Sequence, residues 1–486
     1  MSDASINRLR RLNTLNRVAK FPSAISQFFT LVAADLTLQR RERGTWWLAA
    51  AVTVLLIAGA WQGADHVKSV SLAMQDATSF EANHVSETAA DSVQFFANRD
   101  APENKARPSW KNPADVRGYA FRQHVGYAVK PLLPGAGLAV AQGDVLPHVV
   151  RVKAESMDSV NTAQEIEHPA KLAAGRFDLL FVVLLLWPLV LIALCATVVT
   201  AERESGRLKV LQLHGASLNA LLAAGMIGRT VAATAFLIVV GGTSALAAGA
   251  VPASSAGLGA LAGWAGIVVL YSALWALVIA LICRASATAT AASFLAFAAW
   301  VALAVLLPGL LVVTINTAVP LPSREAHILA MRDVSDQVAS NRVTSLERFY
   351  DEHPQLRPLG VETEKISAAA TRLVRAQEME RLMAPVESRV VTARAQQQAL
   401  FNTLKWLSPV SLAYEQFARL SGNDGVRHAT FLAEVRAHQL RLREFFNARL
   451  LAAGANPENE TCGTCVGGYG FTEVSQMPRF APSARL

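Results

Sequence analysis

Four stretches of this 486-residue chain contain no Asp, Glu, Lys or Arg at all. They are Gly44 to Ala64 with 21 residues, Leu179 to Ala201 with 23, Thr230 to Cys283 with 54, and Ala285 to Ser323 with 39. A helix needs about 20 mostly apolar residues to cross roughly 30 Å of hydrocarbon, so the longest run must hold two helices and the chain five spans. Composition agrees, since 17% of the residues are charged against about 25% in soluble domains. The intervening segments, Asp65 to Asp178 and Arg324 to Leu486, have the composition of ordinary soluble protein. The predicted fold is an all-α polytopic membrane protein with two large extracytoplasmic domains, the first α+β and the second mainly helical. The expected order is a tail at 1–44, spans at 45–64, 179–200, 218–248, 257–283 and 286–314, a cytoplasmic loop at 201–217, and external domains at 65–178 and 324–486. The first span lacks a short charged n-region and an A-x-A cleavage site, so it reads as a retained anchor.

Charge orients this scheme. The tail through Arg43 carries eight basic residues against three acidic ones. The loop from Glu202 to Arg229 carries four against two, and Arg284 adds another positive charge. The two long segments cancel, so the whole excess of +8 lies in the tail and short loops. Basic residues there mark the cytoplasmic side, while long domains cross largely regardless of charge. This places the N-terminus in the cytoplasm and both long segments outside, with the C-terminus periplasmic. Nucleic acid is not an expected partner, because no basic stripe is interleaved with aromatics.

Several chemistries are absent from the pattern. No G-x-x-x-x-G-K-[ST] or even Gly-Lys dipeptide occurs, so there is no phosphate-cradling P-loop. H-E-x-x-H and G-x-S-x-G are also missing. The spans hold no carboxylate or histidine of the kind ion-coupled transporters place at mid-membrane, and Arg229 is expected to snorkel to the cytoplasmic face. An enzyme is therefore disfavoured, and no catalytic residue, metal or cofactor is expected. Cys195 and Cys283 lie in spans as small apolar residues. Cys462 and Cys465 form a C-G-T-C pair in the second external segment. A local disulfide, free thiols, a redox pair or half a metal site all fit, although His438, the nearest histidine, lies 24 residues before Cys462.

Along the chain, Ile25, Phe28, Phe29, Val32 and Leu36 recur at helical spacing, which predicts an amphipathic helix in the cytoplasmic interface. Trp46, Trp47 and Trp61 bracket the first span as interfacial anchors. A helix is expected on to about Asn98, then irregular chain, then an extended stretch from Gly118 to Val152. Pro188 is expected to kink the second span. Small residues in the later spans predict close helix packing. In the last segment, helices are expected over Ala376–Met383, broken at Pro385, then Val390–Trp406 and Thr430–Leu451.

Gly175-Arg176-Phe177-Asp178, the second apolar span, then Ala201-Glu202-Arg203-Glu204-Ser205-Gly206-Arg207-Leu208 with Gly215-Ala216-Ser217 resembles ABC-2 type transporter permeases. There an E-R-E-x-G-[T]-L stretch follows a span and docks on a cytoplasmic ATPase. Leu138-Ala139-Val140-Ala141-Gln142-Gly143-Asp144-Val145-Leu146-Pro147, Tyr350-Asp351-Glu352-His353-Pro354, Trp406-Leu407-Ser408-Pro409 and Pro478-Arg479-Phe480 look like the branch with two large periplasmic loops, similar in outline to NosY-type permeases. The resemblance implies that Glu202, Arg203, Glu204, Gly206 and Leu208 form the coupling region. It also implies a bacterial inner-membrane exporter whose partners are a cytoplasmic ABC ATPase, a second permease subunit and an envelope protein. Acidic residues at a helix start would suit its dipole, and Gly206 would permit close approach; a solvated loop of mixed charge is the plainer reading of the same residues. The family pattern has a sixth span after the second external loop, whereas no uncharged run long enough follows Ser323, so the resemblance implies a shorter chain or a helix from a partner. From another class, a non-transporting scaffold or mechanotransmitter acting through its periplasmic domains also fits.

Overall fold

The computed structural model describes residues 24–98, 100–105, 107–154, 177–213, 217–354, 357, 362, 363, 366, 368–454, 471 and 473–483. Five helices are long and apolar enough to cross a membrane, by length and composition. They are α2 (Arg43–Ala97), α3 (Leu179–Glu204), α5 (Leu218–Ala248), α6 (Ser255–Ala285) and α7 (Ala289–Ala318). Before them lies α1 (Ala24–Arg41), and a short α4 (Arg207–Leu213) separates α3 from α5. Large apolar side chains stand exposed along the spans, among them Val231, Leu270, Phe294 and Leu310. Helices with an apolar outer face belong in lipid, and the protein is read as a membrane protein.

The chain divides into two compact units, the first comprising Met1–Gly59, Phe181–Ser244 and Ala262–Leu306 and the second Ala60–Leu180, Ala245–Leu261 and Leu307–Leu486. Trp187, Trp264 and Trp275 are wholly buried in the first. A side chain at Gly241 would meet the Trp264 ring at 2.9 Å, so the small residues of α5 make room for an indole. Pro188 lacks an N–H and crowds the preceding turn, and α3 responds with a π-helical turn over Val182–Leu186. Pro188 cannot donate to the Leu184 carbonyl, which accepts instead from Tyr271 Oη at 2.8 Å, and the Leu185 carbonyl accepts from Trp300 Nε1 at 3.0 Å. In lipid a freed carbonyl needs such a protein partner. Pro308 repeats the device, following a π-helical turn at Val301–Leu306 in α7.

Arg229 has protein partners. Its guanidinium grips Asp35 of α1 with Nε at 2.8 Å and Nη2 at 2.7 Å, and donates to the Leu194 carbonyl at 2.6 Å. Helix α1 therefore docks on α5, with Val32 so close to Gly228 that a Cβ there would stand 3.0 Å away.

In the second unit the two long polar segments share one core, where the sequence reading separates them into two domains. An antiparallel hairpin, β1 (Gly126–Val129) with β2 (Val149–Val152), pairs Gly126 with Val152 and Val129 with Val149. Its buried face, Ala128, Val150 and Val152, packs with Tyr119 against Leu346 and Phe349 of α9 (Arg342–Glu352), Leu373 of α10 (Ala368–Leu404) and Phe431 and Phe446 of α12 (Gly425–Gly454). A satellite cluster joins Val334 and Val338 of α8 (Arg324–Ser340) to Met383. Pro385 does not break its helix: α10 runs through it, with Pro385 on the exposed side, where water can satisfy the carbonyl it frees. Ser408 caps α11 (Pro409–Ser421) by accepting from the Ser411 N–H at 3.1 Å, and Gly422, at φ 71°, ends that helix in the left-handed conformation glycine tolerates.

Loop 131–147 gathers the second unit's segments. The Gly63 position lies so close to the Gly137 carbonyl that a Cβ would sit 2.0 Å from it, and Gly137 likewise stands against the Ala250 carbonyl at 2.4 Å. Asn423 donates to the Ala139 carbonyl at 3.0 Å, and the Val140 N–H donates to Asp178 at 2.7 Å. Ala141, at φ 47°, is the non-glycine residue with positive φ among those described. Held from both sides, it retains a strained conformation.

Candidate functional site

The predicted coupling residues form an elbow between α3 and α4. The last turn of α3, Thr200–Glu204, ends at Ser205, and Gly206 turns the chain at φ 74° before α4 begins. A Cβ at Gly206 would meet nothing within 4 Å. Glycine is thus required by the left-handed backbone, not by the close approach expected from sequence.

Each charged residue of the elbow has a separate task. Glu202 lies in the first turn of the Thr200–Glu204 segment and pairs across the bend with Arg207 at 2.9 Å. Arg203 Nη1 donates to the Ser286 carbonyl in the turn between α6 and α7. Glu204 closes the segment, so its carboxylate does not serve the dipole of its own helix; it accepts instead from the Ala289 N–H at 2.9 Å. That N–H belongs to the first turn of α7, which Thr288 also caps by accepting from Ala291. A carboxylate at a helix N-terminus satisfies an otherwise orphaned donor and the positive end of the dipole. Arg284, at the end of α6, donates to Asn219 of α5 at 3.1 Å. Adjacent side chains thus tie the elbow to the α6–α7 turn, and that turn in its own right to α5.

Leu208 is buried and anchors α4, whereas Val210 and Leu213 are exposed, Leu213 at 86%. Exposed Arg207 and Lys209 accompany them. This seven-residue helix turns Leu208 inward and Val210 and Leu213 outward, with Leu211 half-buried between them. The i, i+3 spacing of Val210 and Leu213 was the signal for this outward pair in the sequence. Partners Ser286 and Ala289 carried no such signal, because both contacts use backbone atoms. A groove of about 530 Å³ opens between α5 and α6 beside Asn219 and Arg284, lined otherwise by Leu222, Met226, Ala276 and similar residues. Its polar side chains are Asn219, Thr230 and Arg284.

Cys462 and Cys465 lie outside the described residues. Cys195 and Cys283 are buried free thiols, and no group of three or more His, Cys, Asp or Glu side chains arranged to hold a metal ion occurs among the described residues. Residues 324–455 match the family described as Domain of unknown function (DUF3526). No curated protein and no solved structure matches the chain.

Proposed function

We propose that the protein is the transmembrane permease subunit of an ABC-2 type exporter in a bacterial inner membrane, with its N-terminus cytoplasmic and its second unit periplasmic. An ATPase subunit docks on α4, and ATP-driven closure moves the elbow. A second permease subunit completes the pathway. The supporting observation is the elbow itself, which offers Val210 and Leu213 outward and is bonded inward to the α6–α7 turn through Arg203 and to the start of α7 through Glu204. A ligand shifts a conformational equilibrium only through differential contact with its states. An apolar face joined by hydrogen bonds to another span supplies such contact, whereas a free loop would not.

The test is affinity purification of the tagged protein in mild detergent with mass spectrometry, for wild type, Val210→Asp/Leu213→Asp and Glu202→Arg/Glu204→Arg. The reading expects an ABC ATPase with wild type and its loss from both double variants. A complex holding envelope proteins and no ATPase would favour the scaffold reading instead.

A further inference from the structure

Lys130 is wholly buried, and its Nζ has no hydrogen-bond partner among the described residues. It directly follows β1, and its N–H donates to the His148 carbonyl at 2.7 Å, extending the hairpin by one pair. Lys130 and His148 therefore close the base of loop 131–147 and continue the buried face of Ala128 and Val150. His148 is also buried, and its Nε2 has no partner among the described residues. The His66 ring stands edge-on to it, centroids 6.2 Å apart.

The start of α12 supplies the rest. Arg427 donates to the Pro131 carbonyl at 2.8 Å and the Gly422 carbonyl at 3.0 Å, which brings a guanidinium to the residue after Lys130. His428 is buried beside it with Nδ1 unpartnered among the described residues. Among the described residues Asp424 is the one carboxylate that acts on Lys130, and its Oδ1 already accepts from the Val426 and Arg427 N–H groups, both at 3.0 Å. Burial first, then the charge of Arg427, holds Lys130 down at about 8. Burial, then Lys130, His66, Arg427 and His428, holds His148 at about 3. The groups feel one another, and among the described residues the cations Lys130 and Arg427 face the single carboxylate of Asp424.

We propose that Lys130, His148, His428 and Arg427 form a buried site for a phosphoryl-type oxyanion. An ammonium, imidazole N–H groups and a guanidinium are together a donor set for such an anion. An ammonium ligates no metal, and burying it beside a carboxylate already engaged by two backbone N–H groups leaves its charge poorly compensated. The anion locks the base of loop 131–147, and through it the contacts to Gly63, Ala250 and Asn423. The site is independent of the transport reading.

The shared chemistry is a phosphate oxyanion, either free or as a lipid headgroup. Equilibrium dialysis of the purified full chain against radiolabelled inorganic phosphate should retain close to one anion per chain, with sulfate competing and chloride at matched ionic strength not competing. Melting in phosphatidylcholine nanodiscs with and without phosphatidic acid forms the second arm, and a midpoint raised by the lipid alone assigns the headgroup. Lys130→Met should lose the response in whichever arm shows it by tenfold or more in affinity while keeping the gel-filtration profile and helical signal of wild type. The unmutated protein decides if that variant fails to fold: no retained phosphate and no lipid-dependent rise overturns the site. A folded Lys130→Met that binds as wild type also overturns it.

Discussion

At the scale of single residues, Gly206 and Glu204 separate what sequence carries from what it does not. A glycine in a short polar linker between helices is a sequence-visible turn, although its reason is the sign of φ and not room for a neighbour. Alanine at Gly206 should cost about 1 kcal/mol, while asparagine, which tolerates the left-handed region, should cost less. Melting of the detergent-solubilised variants checks the order, and an alanine variant as stable as wild type would remove the backbone argument. Glu204 was conspicuous as an acidic residue, but its partner, the Ala289 N–H, is 85 positions away and has no side-chain signature. Glu204→Ala should lose about 1 kcal/mol as an N-cap substitution does, and Glu204→Gln should keep part of it because its amide oxygen still accepts. Equal losses for the two would show that the cap contributes nothing.

At the scale of elements, the spans were legible because excluding charge from lipid leaves a mark that needs no knowledge of partners. Helix pairing leaves none. Nothing in Asp35 or Arg229 alone indicates that α1 docks on α5, and the reading of Arg229 as a snorkelling cation followed from its position near a helix start. Pro385 misled for a related reason: an internal proline breaks a helix only where the lost hydrogen bond has no substitute, and an exposed helix face has water. The Asp35–Arg229 bridge is testable by a double-mutant cycle. Both side chains are largely buried, at 20% and 18% exposure, so Asp35→Ala should leave a poorly solvated cation and cost about 2 kcal/mol, less than a fully buried pair. Asp35→Ala/Arg229→Met should recover most of that loss, giving a coupling above about 1 kcal/mol. Additive losses would mean that α1 is held by Val32 and its apolar neighbours and not by the ion pair.

At the scale of the whole molecule, the two polar segments looked like two domains because strand alternation and helical periodicity say what is buried, never against what. The hairpin at 126–152 buries its face on helices more than 190 positions later in the chain, and only the folded structure shows that the core is joint. Four of the second unit's histidines, His124, His148, His428 and His438, are buried and held below their ordinary value of 6.5, chiefly by desolvation. His124 and His148 lie at about 3, and His428 and His438 at about 4. A base whose folded pKa is depressed is neutral in the fold and takes up protons when the chain unfolds. Its stabilisation is fully present above 6.5 and is lost as pH falls toward the folded value, at about 1.4 kcal/mol per pH unit for each histidine. Glu378, which Arg381 and Arg348 hold below its ordinary 4.5, adds to this loss only near the lower edge of the window, while Glu81, which burial raises, protonates first in the fold and offsets part of it. The second unit should therefore weaken by several kcal/mol between pH 6.5 and 4.5, while the first, whose described residues hold no histidine, keeps its helical signal. Proteolysis of the detergent-solubilised chain across that range measures it, because cleavage within residues 324–454 reports opening of the joint core. Replacing His124 and His438 by glutamine should flatten the profile, and a wild-type rate of cleavage constant from 6.5 to 4.5 would mean that the histidines are solvated and that the core does not enclose them.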